Sequence, residues 1–264
     1  MRSPLIYVGC AGWNIPRDKK RHFPEEGSAL TRYSAVFHAT EINSSFRNEH
    51  RQSTYARWAA SVPASFRFSV KLPQAITHEN RLSRVHKLLP PFIDAVGALE
   101  NKLGALLMQL PPSFEFSARL TGRFLERLRK MYSGPVVLEP RHLTWFSPKG
   151  VAVLNEYSID RVAADPLPVD EVLIAATWSD AAYFRLHGAP RMYYSAYTSA
   201  HLNRLANRLM AATKSGTPVW CIFDNTASGA AAGNALTLVT KLEKLKSQRR
   251  AAPKHKGGSR ALSA

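Results

Sequence analysis

The sequence predicts an α/β fold: a single TIM-like (β/α)8 barrel with an irregular or shortened sixth βα unit. Three observations carry this expectation. Eight short apolar runs recur, at residues 6–8, 36–40, 66–70, 103–108, 136–138, 162–164, 182–184 and 219–223, with helical patterns between most of them. At least seven of these runs end in polar or charged residues, and a parallel barrel gathers such strand ends onto the face where barrels carry their chemistry. The chain has 264 residues, close to the roughly 250 of one such barrel.

The helical segments follow in order. Ser53 is placed to cap a helix that stops before Val62-Pro63, because the residue before proline disfavours helical backbone. Residues 83–99 form the next, with Pro90-Pro91 expected to kink or split it. Residues 117–131 set Leu120, Phe124, Leu125 and Leu128 on one stripe, with arginines opposite. Residues 148–157 are short. Residues 199–213 align Leu202, Leu205, Leu209 and Met210, and residues 230–245 align Leu236, Val239, Leu242 and Leu245. Gly134-Pro135 and Gly216 mark helix-to-strand turns. After Asp165, residues 166–177 leave room for only a short helix.

Strand alternation aims the side chains, since successive residues point to opposite faces. Glu41 with Asn43, Glu139 with Arg141, and Arg185 with His187 then face inward, converging with Lys71, Gln109, Asp165 and Asp224. Val70, Leu138 and Phe223 face outward. Glu41, Lys71, Glu139, His187 and Asp224 are the candidate catalytic groups. Glu41 or Glu139 would act as base, and Lys71 or His187 as acid or electrostatic stabiliser. Arg185, Arg141 and the small-residue loop from Asn225 to Gly229 are candidates to hold an anion, because barrels often bind phosphate after strands seven and eight. Arg191 is a further cation in reach. Trp13, Tyr193, Tyr194 and Tyr197 are candidates to stack a ligand or to cover the rim. Glu41, Glu139, Asp165, Asp224 and His187 also admit a divalent metal as cofactor, although no metal motif is present. The expected function is an enzyme, a hydrolase or lyase, acting on a phosphate-bearing or anionic small molecule or nucleotide at the barrel mouth.

Formal net charge is +17, which attracts polyanions. A non-catalytic nucleic-acid-associated protein is therefore the alternative. Residues 247–264 hold Arg249, Arg250, Lys254, Lys256 and Arg260 and no acid, and are expected to form a disordered basic tail after a barrel of residues 1–246. No apolar run is long enough for a membrane span, and the N-terminus carries no signal pattern, so a cytoplasmic protein with no membrane partner is expected. The two cysteines, Cys10 and Cys221, read as buried inert thiols on adjacent strands.

Several strings together resemble one family: Gly9-Cys10-Ala11-Gly12-Trp13, Glu41-Ile42-Asn43-Ser44-Ser45-Phe46, Phe68-Ser69-Val70-Lys71 with Ile76-Thr77-His78, Gln109-Leu110-Pro111-Pro112-Ser113-Phe114, Glu139-Pro140-Arg141-His142, Tyr183-Phe184-Arg185-Leu186-His187-Gly188 and Phe223-Asp224-Asn225-Thr226. The family is domain of unknown function 72, bacterial and archaeal TIM-barrel-like proteins. The resemblance runs in order over residues 5–246 and leaves the tail outside. It implies the barrel, with a motif at nearly every strand end, and no reaction. Family members often carry an aromatic after the Phe of the second-strand motif. Here Arg47 stands there, which implies a more anionic ligand if that position touches it.

Overall fold

The computed structural model describes residues 6–167, 182–213, 216 and 218–251. Eight parallel strands, β1 (Ile6–Cys10), β2 (Ala39–Ile42), β3 (Arg67–Lys71), β4 (Leu103–Gln109), β5 (Val136–Glu139), β6 (Ile159–Asp165), β7 (Tyr183–Leu186) and β8 (Val219–Phe223), form one sheet. Its order is β1-β8-β7-β6-β5-β4-β3-β2. β1 and β2 meet at the Ala11–Glu41 bridge, where Gly12 N donates to Glu41 O at 2.8 Å, so the barrel is nearly closed. The helices are α1 (Ala29–Ser34), α2 (Gln52–Ala60), α3 (Leu89–Gly97), α4 (Ala118–Met131), α5 (Pro148–Glu156), α6 (Ser199–Ala212) and α7 (Ala230–Ala251). The short sixth unit expected from the sequence lies mostly outside the described residues.

Side chains close the β1–β2 seam where the backbone ladder does not. The Tyr33 hydroxyl accepts from Cys10 N at 2.7 Å and donates to Ala39 O at 3.2 Å. Thr40 Oγ1 donates to Cys10 O and Gly12 O. Tyr33→Phe therefore strips a buried donor and a buried acceptor of their partner. An expected loss of about 1–3 kcal/mol follows, readable from the urea midpoint.

The barrel interior is graded. At its N-terminal end Trp220 stacks between Tyr7 and Tyr183, with ring centroids 5.0 and 5.7 Å away. Gly104 sits at a register shift between β3 and β4. A Cβ there would come within 2.4 Å of the Trp220 ring, so a bulge glycine makes room for the indole. Charged groups replace aromatics toward the C-terminal end. Outside, α4 buries Phe124, Leu125 and Leu128, each worth about 1.5–3 kcal/mol. Val70, Leu138 and Phe223 are buried as well.

Some expectations shift. Ser53 lies inside α2, whose N-cap is Arg51. Pro90 and Pro91 start α3 instead of kinking it, because a missing N–H costs nothing in the first turn. The segment before α3 instead holds Arg81, Leu82 and Arg84 at positive φ. α1, absent from the sequence reading, starts where Ser28 Oγ accepts from Thr31 N at 3.1 Å. The last helix runs to Ala251, into the segment expected to be disordered. There Arg249 donates to Met210 O at 3.4 Å, and repeated i,i−4 bonds outweigh the basic composition. No helix among the described residues is long and apolar enough to cross a membrane.

Candidate functional site

Register decides which strand residues meet inside. Glu41 pairs with Ser69, Lys71 with Leu107, Gln109 with Glu139, and Tyr183 with Trp220. Paired residues share a face, so these rows point into the barrel and the polar strand ends converge.

Arg185 is the hub, with no solvent exposure. Nε and Nη2 reach the two oxygens of Glu41 at 2.9 and 2.7 Å. Nη1 reaches Gln109 Oε1 and Glu139 Oε2, each at 2.9 Å, and Nη2 lies 3.1 Å from Asp224 Oδ2. Four N–H groups thus donate to Glu41, Gln109 and Glu139, and the ion pair to Asp224 adds a fourth partner. Tyr183 donates to Glu41 at 3.1 Å and meets Ser69 Oγ at 2.7 Å. The His187 ring lies between Asp224 and Glu139, with Nδ1 and Nε2 each 3.0 Å from a carboxylate oxygen. Arg141 Nη2 is 2.7 Å from His187 Nε2 and pairs with Glu139 as well.

The charges tune one another. Burial works to raise the Glu139 carboxyl, but His187, Arg185 and Arg141 prevail and hold it well below the usual range. Burial likewise opposes ionisation of Asp224, and Arg185 and His187 prevail there too. Lys71 differs. Its side chain is buried and its amine lies 4.1 Å from the centre of the Phe46 ring. Among the described residues no carboxylate is within ion-pair distance of it. Burial first, then Arg185, pulls the amine down to about 8, only partly opposed by Glu41, Asp224 and Glu139. His78 meets the other side of this arrangement, edge-on to Phe46 at 4.9 Å. It comes from the π-helical turn Ala75–Glu79 after β3, an irregularity frequent near functional sites.

A cavity of about 640 Å³ opens over this cluster, lined by Asn43, Phe46, Arg47, Lys71, Tyr193, Asp224 and neighbouring loop residues. Asn43 Oδ1 is buried and without a hydrogen-bond partner, as is Arg141 Nε. Tyr193, held at φ 69°, sits edge-on over His187 at 5.7 Å.

The structure brings Glu41, Asn43, Lys71, Gln109, Glu139, Arg141, Arg185, His187 and Asp224 together, and gives other candidates different partners. Asp165 pairs with Leu186, not Arg185, in the sheet. It therefore points outward, 3.5 Å from His201 of α6, and Ala164 takes the inward place. Trp13 packs edge-on against Trp58 at 5.0 Å. Gly229, at φ 77°, faces Pro16 and borders a separate hollow. Tyr197 is buried, donating to Asp165 O and accepting from Gly188 N. Arg191 lies over the Tyr194 ring at 3.9 Å. Every guanidinium nitrogen of Arg185 is engaged by Glu41, Gln109, Glu139 or Asp224, and the oxygens of Glu41 and Glu139 are engaged by donors, so the three are committed to one another. Among the described residues no three His, Cys, Asp or Glu side chains are grouped to hold a metal. Cys10 and Cys221 are buried free thiols, and burial pushes Cys10 up to about 12. Tyr183 and Ser69, missed in the sequence, lie two residues before Arg185 and Lys71, so alternation alone points to them.

Asn225 Nδ2 donates to Ser195 O and Asn234 Oδ1, both at 2.9 Å, tying the loop after β8 to the one after β7. Asn225→Ala is expected to lower stability by about 1–3 kcal/mol, measured by thermal unfolding, because Ser195 O loses its side-chain donor and Asn234 Oδ1 keeps only Tyr197 N.

Comparison with known proteins agrees with this architecture. The family model described as protein of unknown function DUF72 matches residues 7–257. UPF0759 protein YunF of Bacillus subtilis is 28% identical over 153 residues, 54% of this chain and 53% of that protein. UPF0759 protein YecE of Escherichia coli is 26% identical over 174 residues, 62% of this chain and 61% of that one. The chain thus spans a little over half the length of the curated relatives it matches. A DUF72 family crystal structure from Thermotoga maritima superposes with a TM-score of 0.74 at 26% identity, covering 90% of this chain and 99% of that one. One from Enterococcus faecalis gives 0.72 at 20% identity, covering 90% and 95%. With eight parallel strands, a charged cluster at their C-terminal ends and a family match over nearly its whole described length, the chain belongs to the DUF72 family.

Proposed function

We propose that the barrel mouth is the active site of an enzyme acting on a small anionic molecule, and that Lys71 is its reactive group. One observation carries the reading. In a cluster where Arg185, Glu41, Glu139, His187 and Asp224 satisfy one another, the Lys71 amine alone faces a cavity without an acidic partner. A fully paired cluster is what structural closure asks for, and an unpaired buried amine is a cost that closure does not need. Arg47 lines the same cavity, so its wall carries two basic side chains against the single carboxylate of Asp224. Arg185 is then the scaffold that fixes Glu41 and Asp224, not an anion ligand.

The cost is itself a test. Lys71 has a folded-state pKa of about 8 against roughly 10.4 unfolded. The unfolded chain therefore binds more protons between these values, so stability rises with pH across that window and is penalised below it. Lys71→Met is expected to raise stability at pH 7 by about 1–3 kcal/mol in urea denaturation while weakening phosphate binding in calorimetry. Unchanged binding of inorganic phosphate, sugar phosphates and nucleotides in both Lys71→Met and Arg47→Ala defeats the reading.

A second reading rests on a different surface. Arg119, Arg123 and Arg127 recur every four residues along α4. Arg123 and Arg127 border hollows shared with Lys130, Arg84 and His86. Such a stripe matches the spacing logic of phosphate-backbone contacts, and nucleic-acid association is the activity it would supply. Replacing the three arginines with Gln should flatten the salt dependence of DNA binding by roughly three in log–log slope, at about 0.9 per phosphate contact.

A further inference from the structure

We propose that Lys71 acts as a nucleophile toward carbonyl compounds, making the substrate a small anionic aldehyde or ketone held as a Schiff base at the barrel mouth. This rests on the reading of the mouth as an anion-accepting active site and names the chemistry within it.

Three features of the site argue for a nucleophile over a simple proton carrier. The first is the missing partner. A lysine kept as a permanent cation sits beside a carboxylate, and Glu41, Glu139 and Asp224 are instead turned to Arg185 and His187. An amine relieved of that partner, and lowered to about 8 by burial, spends an appreciable fraction of its time uncharged at neutral pH, and only the uncharged form attacks carbon. The second is Phe46. Its ring face lies 4.1 Å from the amine, and the same face stabilises an iminium cation as it does an ammonium. The third is Asn43. Asn43 lines the same cavity and its buried Oδ1 lacks a donor, which a carbinolamine hydroxyl reaching it would supply.

The step balances without a co-reactant. The Nζ lone pair forms a bond to the carbonyl carbon as the C=O π bond opens, and one nitrogen proton passes to oxygen, giving the carbinolamine. The C–O bond then breaks as the nitrogen lone pair forms C=N, giving the iminium, and the second nitrogen proton joins the departing hydroxide as water to leave the imine. Tyr193, which lines the same cavity, is the candidate to relay these protons. No electron leaves the system, so neither oxidant nor reductant is consumed.

Pyridoxal phosphate serves as the probe, because it joins an aldehyde to a phosphate. The full-length protein is incubated with it at substoichiometric to equimolar ratio, reduced with borohydride, and mapped by peptide mass spectrometry. The expected result is reduction-stable modification at Lys71, on the order of tenfold or more faster than at exposed lysines, and slowed by inorganic phosphate. Lys71→Arg, which keeps the charge, should fold, bind phosphate and lose the fast site. Modification of Lys71 no faster than of surface lysines, with phosphate still binding at the mouth by calorimetry, overturns the Schiff base and leaves the anion site standing. Failure of both phosphate binding and Lys71 labelling overturns the two together.

Discussion

Arg185→Met is expected to unfold the barrel at pH 7 and to recover structure as the pH is lowered. The side chain has zero exposure; it donates to Glu41, Gln109 and Glu139 and pairs with Asp224. Removing it leaves three carboxylates in the barrel with too few donors. Breaking one buried pair costs about 3–5 kcal/mol, and three acids share this partner. The loss therefore sits at or above the top of that range, against a total domain stability of about 5–15 kcal/mol. The pH signature separates this mechanism from a packing defect. In the wild type, Glu139 and Asp224 are held below their ordinary values. The stability they contribute is present above roughly pH 4 and is lost as pH falls through their folded values. In Arg185→Met the unpaired buried acids are pushed upward instead, so the folded state takes up protons first and stability rises as pH falls. Urea denaturation at pH 5 and pH 7 should show little change in the wild type and higher stability at pH 5 in Arg185→Met. Parallel slopes would show that Arg185 acts by volume alone.

Gly9→Ala is the second large effect, and it acts on closure. A Cβ at Gly9 would lie 2.0 Å from Ala39 O and 2.7 Å from its carbonyl carbon. The obstacle is backbone, so no rotamer relieves it. β1 and β2 must part, which also disturbs the Tyr33 and Thr40 bonds across the seam. Overpacking costs about 1–3 kcal/mol, occasionally more, and the added loss of buried hydrogen bonds places this variant at or beyond 3 kcal/mol. Amide exchange at Cys10 N–H should accelerate ahead of exchange elsewhere in β1. Gly12→Ala is the control. Gly12 has φ 91° and nothing within 4 Å of a built Cβ, so it should cost only about 1–3 kcal/mol of backbone strain and leave Cys10 exchange unchanged. Equal effects on Cys10 exchange from the two variants would contradict the seam argument.

Much of this was legible in the sequence because period-two alternation is local. The inward sets Glu41 and Asn43, Glu139 and Arg141, and Arg185 and His187 follow from counting by twos along single strands. So do the outward Val70, Leu138 and Phe223. What alternation does not supply is where a strand starts relative to its neighbours. Asp165 ends an apolar run as Asp224 does, yet it falls opposite Leu186 and Asp224 does not. Only the sheet register separates the two. Loop direction was also hidden. Gly229 and Trp13 sit after the right strands, but the loops carry them onto α2 and the segment around Pro16 instead of over the mouth. The roles inside the cluster were hidden for a third reason. Sequence lists donors and acceptors without saying who takes whom. Arg185 looks like an anion receptor until its guanidinium is seen to be engaged by Glu41, Gln109, Glu139 and Asp224, and Lys71 looks like one more ion-pair partner until it is seen to lack one. The resemblance to a family without a known reaction added the fold and could not add these roles.

On the proposed function the Lys71 amine is unpaired, lowered by burial and reachable by anions through the barrel mouth. The most direct measurement is the pH titration of its Nζ resonance by heteronuclear NMR, assigned with Lys71→Arg and repeated with inorganic phosphate. The predicted midpoint lies near 8, and phosphate should shift it upward, because a bound anion favours the charged amine. A midpoint at the ordinary lysine value of about 10.4, unmoved by phosphate, would contradict it.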